Sequence, residues 1–386
     1  MHKSYIRRFH ANEIFHRIRI EPQISQRDII ARTGFDKSTV SSIVNRFDEL
    51  GLIRRSSNGP GSKRGRPAEG LSISPDKGLL IGVQVERTAL SFVISALDGQ
   101  PLVTQQQRFD GGVGKLDTLI ARGIAKVRAA CDRPGEILGV GVSLPGLVTD
   151  EGLLVHAPIV GWHDVPVFDL LSSKVHYPLF IGNDVKAAAM AEHMFGDCVD
   201  EDDFIYLFSG SGVGGALFLG GEMYGGATGL AGELGHVKVV PQGRPCSCGS
   251  YGCLSAYVAG YAMTSEVQHL GIEGVSEFGD VLKQAAGGNL VVLDVLNRAA
   301  LMLGAGIANF INIFNPPLVM LGGDLARAEA YLRPATEQEA RRLAHPSMFA
   351  QTRITFSKIS ASKSYLGGVA LALDGVTGLD ASHVLP

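Results

Sequence analysis

The sequence predicts an α/β chain in two parts, a winged helix-turn-helix over residues 1–75 and a two-lobed α/β body over residues 76–386. Three observations carry this. The first 50 residues place apolar side chains at helical spacing around a short glycine-containing turn. Two stretches of the body, Gly78 to Leu97 and Asp203 to Gly221, each read as a pair of apolar strands around a turn, which points to a fold built by duplication. Charge divides the chain in the same place. Residues 1–70 hold 14 Lys and Arg against 7 Asp and Glu, leaving the remainder with 21 of the 35 basic and 31 of the 38 acidic residues. A basic segment on an acidic body points to a polyanion-binding module joined to something else.

At 386 residues the chain exceeds one ordinary core, and 45% hydrophobic with 19% charged residues is a globular composition. No uninterrupted apolar run approaches the ~18 residues of a membrane span. The most apolar stretch, Ala299 to Phe314, is cut by Asn309 and Asn312 and reads as a buried helix. No apolar signal core follows Arg7 and Arg8, so neither secretion nor a membrane partner is expected. Cysteine spacing of metal-binding type, rather than a disulfide framework, places the chain in the cytoplasm.

Taken in order, residues 12–20 put Ile14, Phe15, Ile18 and Ile20 on one helical face, and Pro22 breaks that helix. Ser25 opens a second helix with Ile29, Ile30 and Ala31 inward. Gly34 supplies a turn of positive φ, and Asp36 caps a third helix running from Lys37 to Leu50. Val40, Ile43, Val44, Phe47 and Leu50 form its inner face. Its outer face shows Lys37, Ser38, Thr39, Ser41, Ser42, Asn45 and Arg46. Short hydroxyl side chains let a helix approach base edges, and Asn and Arg can contact bases in pairs of hydrogen bonds. Gln26 and Arg27, opening the second helix, join this DNA-contacting set. Leu52-Ile53 and Leu71-Ser72-Ile73 pair as the strands of a wing. The loop between them carries Lys63-Arg64-Gly65-Arg66-Pro67, which resembles the Arg-Gly-Arg-Pro core of minor-groove binders. Taken alone, that loop reads equally as a solvated linker. Together the elements predict binding of a double-stranded DNA operator.

In the body, Leu116, Leu119, Ile120, Ile124 and Val127 form a helical stripe, Ile137 to Val142 a strand, and Leu144-Pro145-Gly146 a turn. Leu179 to Gly182 is a short strand leading into a helix from Val185 to Phe195. Val319 to Leu321 is a strand ending in Gly322-Gly323, and Lys363 to Leu373 a terminal helix. The lobes are expected at about 76–185 with 363–375, and at 186–362.

His236, Cys246, Cys248 and Cys253 supply one imidazole and three thiols, a closed four-ligand shell for structural zinc. Isolated buried cysteines are common. Three of the five cysteines, however, fall within eight residues, while Cys131 and Cys198 stand apart.

Residues 77–375 resemble the ROK family (repressors, open reading frames and sugar kinases), whose fold is actin/hexokinase-like, of the ribonuclease H-like type. The matching pieces are GVSLPGLV (141–148), GNDVKAAAMAE (182–192), SGSGVGGALFLGGEMYGGATGLAGELGH (209–236), CSCGSYGCLSAYVAG (246–260) and NIFNPPLVMLGG (312–323). With its basic head, the chain looks like a ROK-type transcriptional regulator. The resemblance implies that Asn183, Asp184, Glu233 and His236 contact a sugar and that Gly146 shapes the pocket floor. His236 would then serve both metal and sugar. In ROK kinases the Asp matching Asp184 is the general base. Carboxylates and an amide suit adjacent hydroxyls in any case, although Asn183-Asp184 alone reads as a helix N-cap.

Two departures from the family pattern matter. Family kinases open the body with an Asp-x-Gly-Gly-Thr turn for phosphate and magnesium, where this chain has Gln84-Val85-Glu86-Arg87-Thr88. Both glycines and the metal-directed carboxylate are gone, so no kinase activity is expected and Asp184 would serve only as a hydrogen-bonding partner. Ser255 stands where the family usually has a sugar-binding Glu, which removes an acceptor and enlarges the pocket. The function expected is a sugar-responsive regulator, a repressor of carbohydrate uptake or catabolism genes acting as a homodimer or homotetramer. Sugar closing the two lobes would displace paired heads that read half-sites about 34–36 Å apart. A sugar kinase with an added DNA module, or a ligand-blind repressor with a vestigial body, are the alternatives.

Overall fold

The structure, a computed structural model, describes residues 3–56, 69–210, 212–359 and 365–378. Its head begins with helices α1 (Lys3–Ile20), α2 (Gln26–Thr33) and α3 (Lys37–Glu49). Ala11, Ile14, Phe15 and Ile18 of α1 are buried at helical spacing, and Phe15 meets Phe47 of α3 edge to face. Ser25 caps α2 reciprocally: its hydroxyl accepts the Asp28 N–H at 3.2 Å, and its own N–H donates to the Asp28 carboxylate at 3.4 Å. Gly34 ends α2 at φ 69°, and Asp36 starts α3 by accepting the Thr39 N–H at 2.9 Å. The wing strands Ile53–Ser56 and Gly70–Ile73 pair antiparallel, and the latter also pairs with Ile24–Ser25. Lys63, Arg64, Gly65 and Arg66 lie outside the described residues.

Two inward expectations fail. Ala31 is exposed because it falls off the stripe marked by Ile29 on a helix of only eight residues. Leu50 is 44% exposed because it follows the last turn of α3, and Leu52 takes the buried place beyond it.

The chain divides into two compact units, residues 1–195 with 363–386 and residues 196–362. The first contains the head. Its main sheet runs Pro101–Arg108, Ala89–Ala96, Gly78–Val85, Glu136–Leu144, Leu179–Asn183. The first three strands are antiparallel and the last two continue in parallel. Helix Leu116–Ala129 packs Leu116, Ile120, Ile124 and Val127 into the sheet's core. Helix Asp184–Phe195, which the sequence reading splits near 185, stays whole in this unit and packs on the C-terminal helix Leu366–Thr377. That C-terminal helix is also where the head joins the body. Val369, Ala372 and Leu373 share one apolar cluster with Ile14, Ile18, Val44 and Phe47 of the head and Leu80, Val93 and Leu97 of the body. Asp374 accepts from Arg8 at 2.5 Å and from Asn12 at 2.6 Å across the same seam.

The second unit repeats the sheet order and strand senses: Glu222–Met223, Val213–Leu219, Phe204–Ser209, Leu318–Gly323, Arg353–Phe356. Counted within each sheet, both run 3-2-1-4-5, which is the duplication read from the two apolar strand pairs. The apolar stretch near Ala299 belongs to a 25-residue helix, Leu290–Phe314, capped by Asn289. Length and apolarity alone would let it cross a membrane, but Val292, Leu296, Leu303, Ile307 and Ile311 are buried in this unit's core. The three short strands Leu147–Val148, Leu153–Ala157 and Trp162–Pro166 form a small antiparallel sheet.

Candidate functional site

The ligand atoms of His236, Cys246, Cys248 and Cys253 all lie within 4.8 Å of one another. Cys248 Sγ and Cys253 Sγ are 3.7 Å apart, and Cys246 Sγ is 3.6 Å from His236 Nδ1. Four donors placed at about 2.0–2.3 Å from one zinc stand roughly 3.3–3.8 Å from each other, so these two separations fit a tetrahedron's edges. They are also far longer than a disulfide bond of about 2.05 Å. Backbone geometry makes the cluster possible. Lys238 and Cys253 form an antiparallel bridge, as do Pro245 and Tyr251. Gly252 turns the chain at φ 69°, where a Cβ would sit 1.8 Å from the Val240 carbonyl oxygen. Lys238 Nζ donates to Cys253 Sγ at 2.8 Å and to Ser250 Oγ at 2.7 Å, a cation placed to stabilise thiolates. With Nδ1 toward the thiols, His236 turns Nε2 toward Glu233, 3.6 Å away.

The residues assigned to a sugar fall into two groups. In the first unit, Asn183 Nδ2 donates to the Gly146 carbonyl at 2.8 Å and to Asp184 Oδ1 at 3.1 Å. Asn183 Oδ1 accepts the Lys186 N–H at 2.9 Å, and Asp184 Oδ1 accepts the Val185 N–H at 2.9 Å. Asn183 therefore does cap its helix, and the cap also fixes the Gly146 turn. Gly146 stands at φ 96°, with a Cβ excluded by the His156 carbonyl 2.4 Å away. Glu233 and His236 form the second group, in the second unit, in contact with the thiol cluster.

Where family kinases carry their phosphate turn, Glu86 to Thr88 make a plain hairpin closed by the Glu86 N–H on the Ala89 carbonyl at 2.9 Å. Gln84 Oε1 accepts from Ser143 Oγ at 3.1 Å, which ties the amide into the sheet. Burial raises the pKa of the Glu86 carboxyl. Ser255 is buried, and its hydroxyl accepts the Val213 N–H at 3.1 Å, so it secures a strand of the second sheet.

On the head, Lys37, Ser38, Ser42, Asn45 and Arg46 are exposed along α3, and Thr39 and Ser41 are half-buried. Arg27 is exposed and Gln26 half-buried at the start of α2. The Ser38 hydroxyl donates to Asp36, as does that of Thr39 at 2.6 Å; these bonds hold the Asp36 carboxyl far below the usual carboxylate range. Sequence reasoning missed Arg55. From the wing it reaches Asn45 Oδ1 at 2.8 Å, Asp48 at 2.7 Å and Glu69 at 2.8 Å. It missed Arg19 as well, whose guanidinium donates to the Met194 carbonyl and lies 5.1 Å from the Phe195 ring centre. Nothing in local periodicity marks either arginine, since their partners come from other elements.

Comparison with known proteins agrees with this geometry. The ROK family profile matches residues 80–375, and that of the MarR family matches residues 14–64. The xylose repressor of Caldicellulosiruptor bescii is 28% identical over 370 residues, covering 91% of this chain and 92% of the repressor. A crystal structure of a ROK family transcriptional regulator, a homologue of the Escherichia coli Mlc protein, superposes with a TM-score of 0.81 at 26% identity over 97% of each chain. A ROK family glucokinase from Streptomyces griseus, solved with glucose and AMPPNP, matches 76% of this chain and 99% of its own at TM-score 0.68 and 25% identity.

Proposed function

The chain belongs to the ROK family, and from that premise we propose that it is a sugar-responsive DNA-binding transcriptional regulator, a repressor of carbohydrate uptake or catabolism genes. One observation carries the reading: a winged helix-turn-helix with an exposed polar recognition face shares a buried core with a ROK body. α3 enters the major groove, and its outer residues read base edges while the wing's basic loop lies along the backbone or minor groove.

The residues that bind sugar are Gly146, Asn183 and Asp184, and Glu233 and His236, the set that the family resemblance implies. His236, Cys246, Cys248 and Cys253 would hold a structural zinc, which would fix the His236 ring in place. Asp184 accepts hydrogen bonds from sugar hydroxyls and is not used as a base. The hairpin at Glu86 offers no close backbone approach to phosphates and adds a carboxylate beside them, so phosphoryl transfer is not supported.

The path from sugar to DNA runs along helix Asp184–Phe195. It starts at a proposed sugar contact, spans about 18 Å at 1.5 Å per residue, and ends on α1 through Met194 and Phe195. Displacement of its first turn is passed to the head because one continuous helix joins the two ends. The regulator acts in the cytoplasm as a homodimer or homotetramer, matching its two heads to half-sites of an operator.

Mobility shifts of the full-length protein on its native promoter region, with and without a panel of pentoses, hexoses and N-acetylhexosamines, test the reading. A shifted band that one sugar alters is the expected result; no binding under any condition overturns it.

A further inference from the structure

The recognition face of α3 carries one side chain whose orientation is fixed from outside the helix. Ser38, Ser42 and Asn45 lie on one stripe of α3, at i, i+4 and i+7, and all three are exposed. Asn45 is the amide among them. An amide is ambiguous on its own, because a half-turn about its last bond exchanges an acceptor for two donors. Here the ambiguity is removed. Arg55, on the wing strand Ile53–Ser56, points a guanidinium nitrogen at Asn45 from 2.8 Å, and a guanidinium can only donate. The Asn45 atom facing it is therefore the carbonyl oxygen, and the NH2 faces away.

Arg55 is itself held. Its Nε donates to Asp48, one turn beyond Asn45 on α3, at 2.7 Å, and its Nη1 donates to Glu69, at the far side of the wing, at 2.8 Å. Three acceptors, two on α3 and one just before the wing strand Gly70–Ile73, match the planar fork of an arginine, and a lysine's single ammonium cannot meet all three. The side chain is less than a quarter exposed, between partners that are themselves more open. An arginine spent in this way is not available to a phosphate.

Resting on the regulator reading above, we propose that Arg55 is a positioning residue for sequence recognition: it locks Asn45 as a hydrogen-bond donor toward the DNA. Adenine is usually read by an amide that donates to N7 and accepts from N6 at once. With its carbonyl turned to Arg55, Asn45 gives up the accepting half of that pair. It then selects a base presenting an acceptor alone at that point in the major groove, such as guanine N7 and O6 or thymine O4, over the mixed edge of adenine.

The test is selection from a randomised double-stranded DNA pool by the full-length protein, at one fixed salt concentration, for the wild type and for Asn45→Ala, Arg55→Ala and Arg55→Lys. The wild type is expected to enrich a motif with one acceptor-only position per half-site. Asn45→Ala erases the preference there, by roughly 10-fold for a lost base contact. Arg55→Ala and Arg55→Lys alter the same position and no other, toward adenine or toward no preference, with the salt dependence of binding unchanged. Arg55→Lys keeps a cation between Asp48 and Glu69 and so answers for a wing that fails to fold in Arg55→Ala. A wild-type motif kept intact in Arg55→Lys, or a uniform loss of affinity across all sequences, overturns the positioning role while leaving the regulator reading in place. A wild type that enriches nothing overturns that reading, and this inference with it.

Discussion

His16 and His193 stack ring on ring, with centroids 4.9 Å apart and planes 9° from parallel. Both are buried, and they join α1 of the head to helix Asp184–Phe195 of the body. Arg19, which bonds His16 Nδ1 at 3.0 Å, completes the contact on Met194 and Phe195. A seam between a DNA-reading domain and a ligand-binding one is thus built partly of groups that ionise.

Burial first, and the neighbouring Arg19 and Arg17 cations second, push His193 down to about 4. An unfolded histidine titrates near 6.5, so between these values the unfolded chain takes up a proton that the folded chain refuses. The stabilisation is complete above pH 6.5 and is lost as pH falls toward 4. At pH 5.5 this amounts to ~1.4 kcal/mol. Urea unfolding at pH 7.5 and 5.5 should show wild type losing about that much more than His193→Phe, which keeps a ring and cannot charge. Equal losses in the two proteins contradict the assignment.

Arg19→Ala removes the donor to the Met194 carbonyl and the cation over Phe195 together. A buried hydrogen bond to a charged group contributes about 1.5–3 kcal/mol, and a loss of that order is expected in urea unfolding. The more telling measurement is functional. Operator affinity without sugar should change little, because Arg19 lies away from the outer face of α3, while the sugar's effect on that affinity should shrink.

Zinc content gives a third check. One zinc per chain is expected by elemental analysis, reduced to none in Cys248→Ser or Cys253→Ser. Gly252→Ala should do the same without touching a ligand, since its methyl group would collide with the Val240 carbonyl. Chelation should lower the melting temperature and weaken sugar binding through His236.

Much of this was legible in the chain because it depends on local chemistry. Ser25, Gly34 and Asp36 announce the ends of α2 and α3 through caps that act within three or four residues. The thiol cluster is legible because three of its four ligands lie within eight residues. The sugar residues rest on family resemblance, whereas the local reading of Asn183 as a helix cap is met by its bond to the Lys186 N–H. What stayed hidden is what distant pairing decides. Arg8 and Asn12 meet Asp374 across more than 360 residues, and no periodicity in either segment foretells it. Arg19 and Arg55 looked like ordinary members of a basic segment until their partners were placed. The exposure of Leu50 was missed because a helical pattern does not say where its last turn ends.

Asp184→Asn separates sugar sensing from DNA binding. The amide keeps a carbonyl for the Val185 N–H but loses the charge proposed above to bind sugar hydroxyls. Sugar affinity should fall by at least 10-fold, the equivalent of ~1.4 kcal/mol, with operator affinity unchanged. Neither wild type nor variant should release ADP from ATP with any hexose or pentose. ADP formation by wild type that Asp184→Asn abolishes would establish the kinase alternative.

Occupancy of the body by a sugar is expected to change how the head grips DNA. Titration calorimetry of the full-length protein with its operator, in the presence and absence of each sugar that binds it, measures that coupling in one quantity. At least one sugar should shift operator affinity 5-fold or more, about 1 kcal/mol of coupling, with the reciprocal shift in sugar affinity when DNA is bound. A sugar that saturates the body and leaves operator affinity unchanged, or the absence of any sugar that binds, contradicts it.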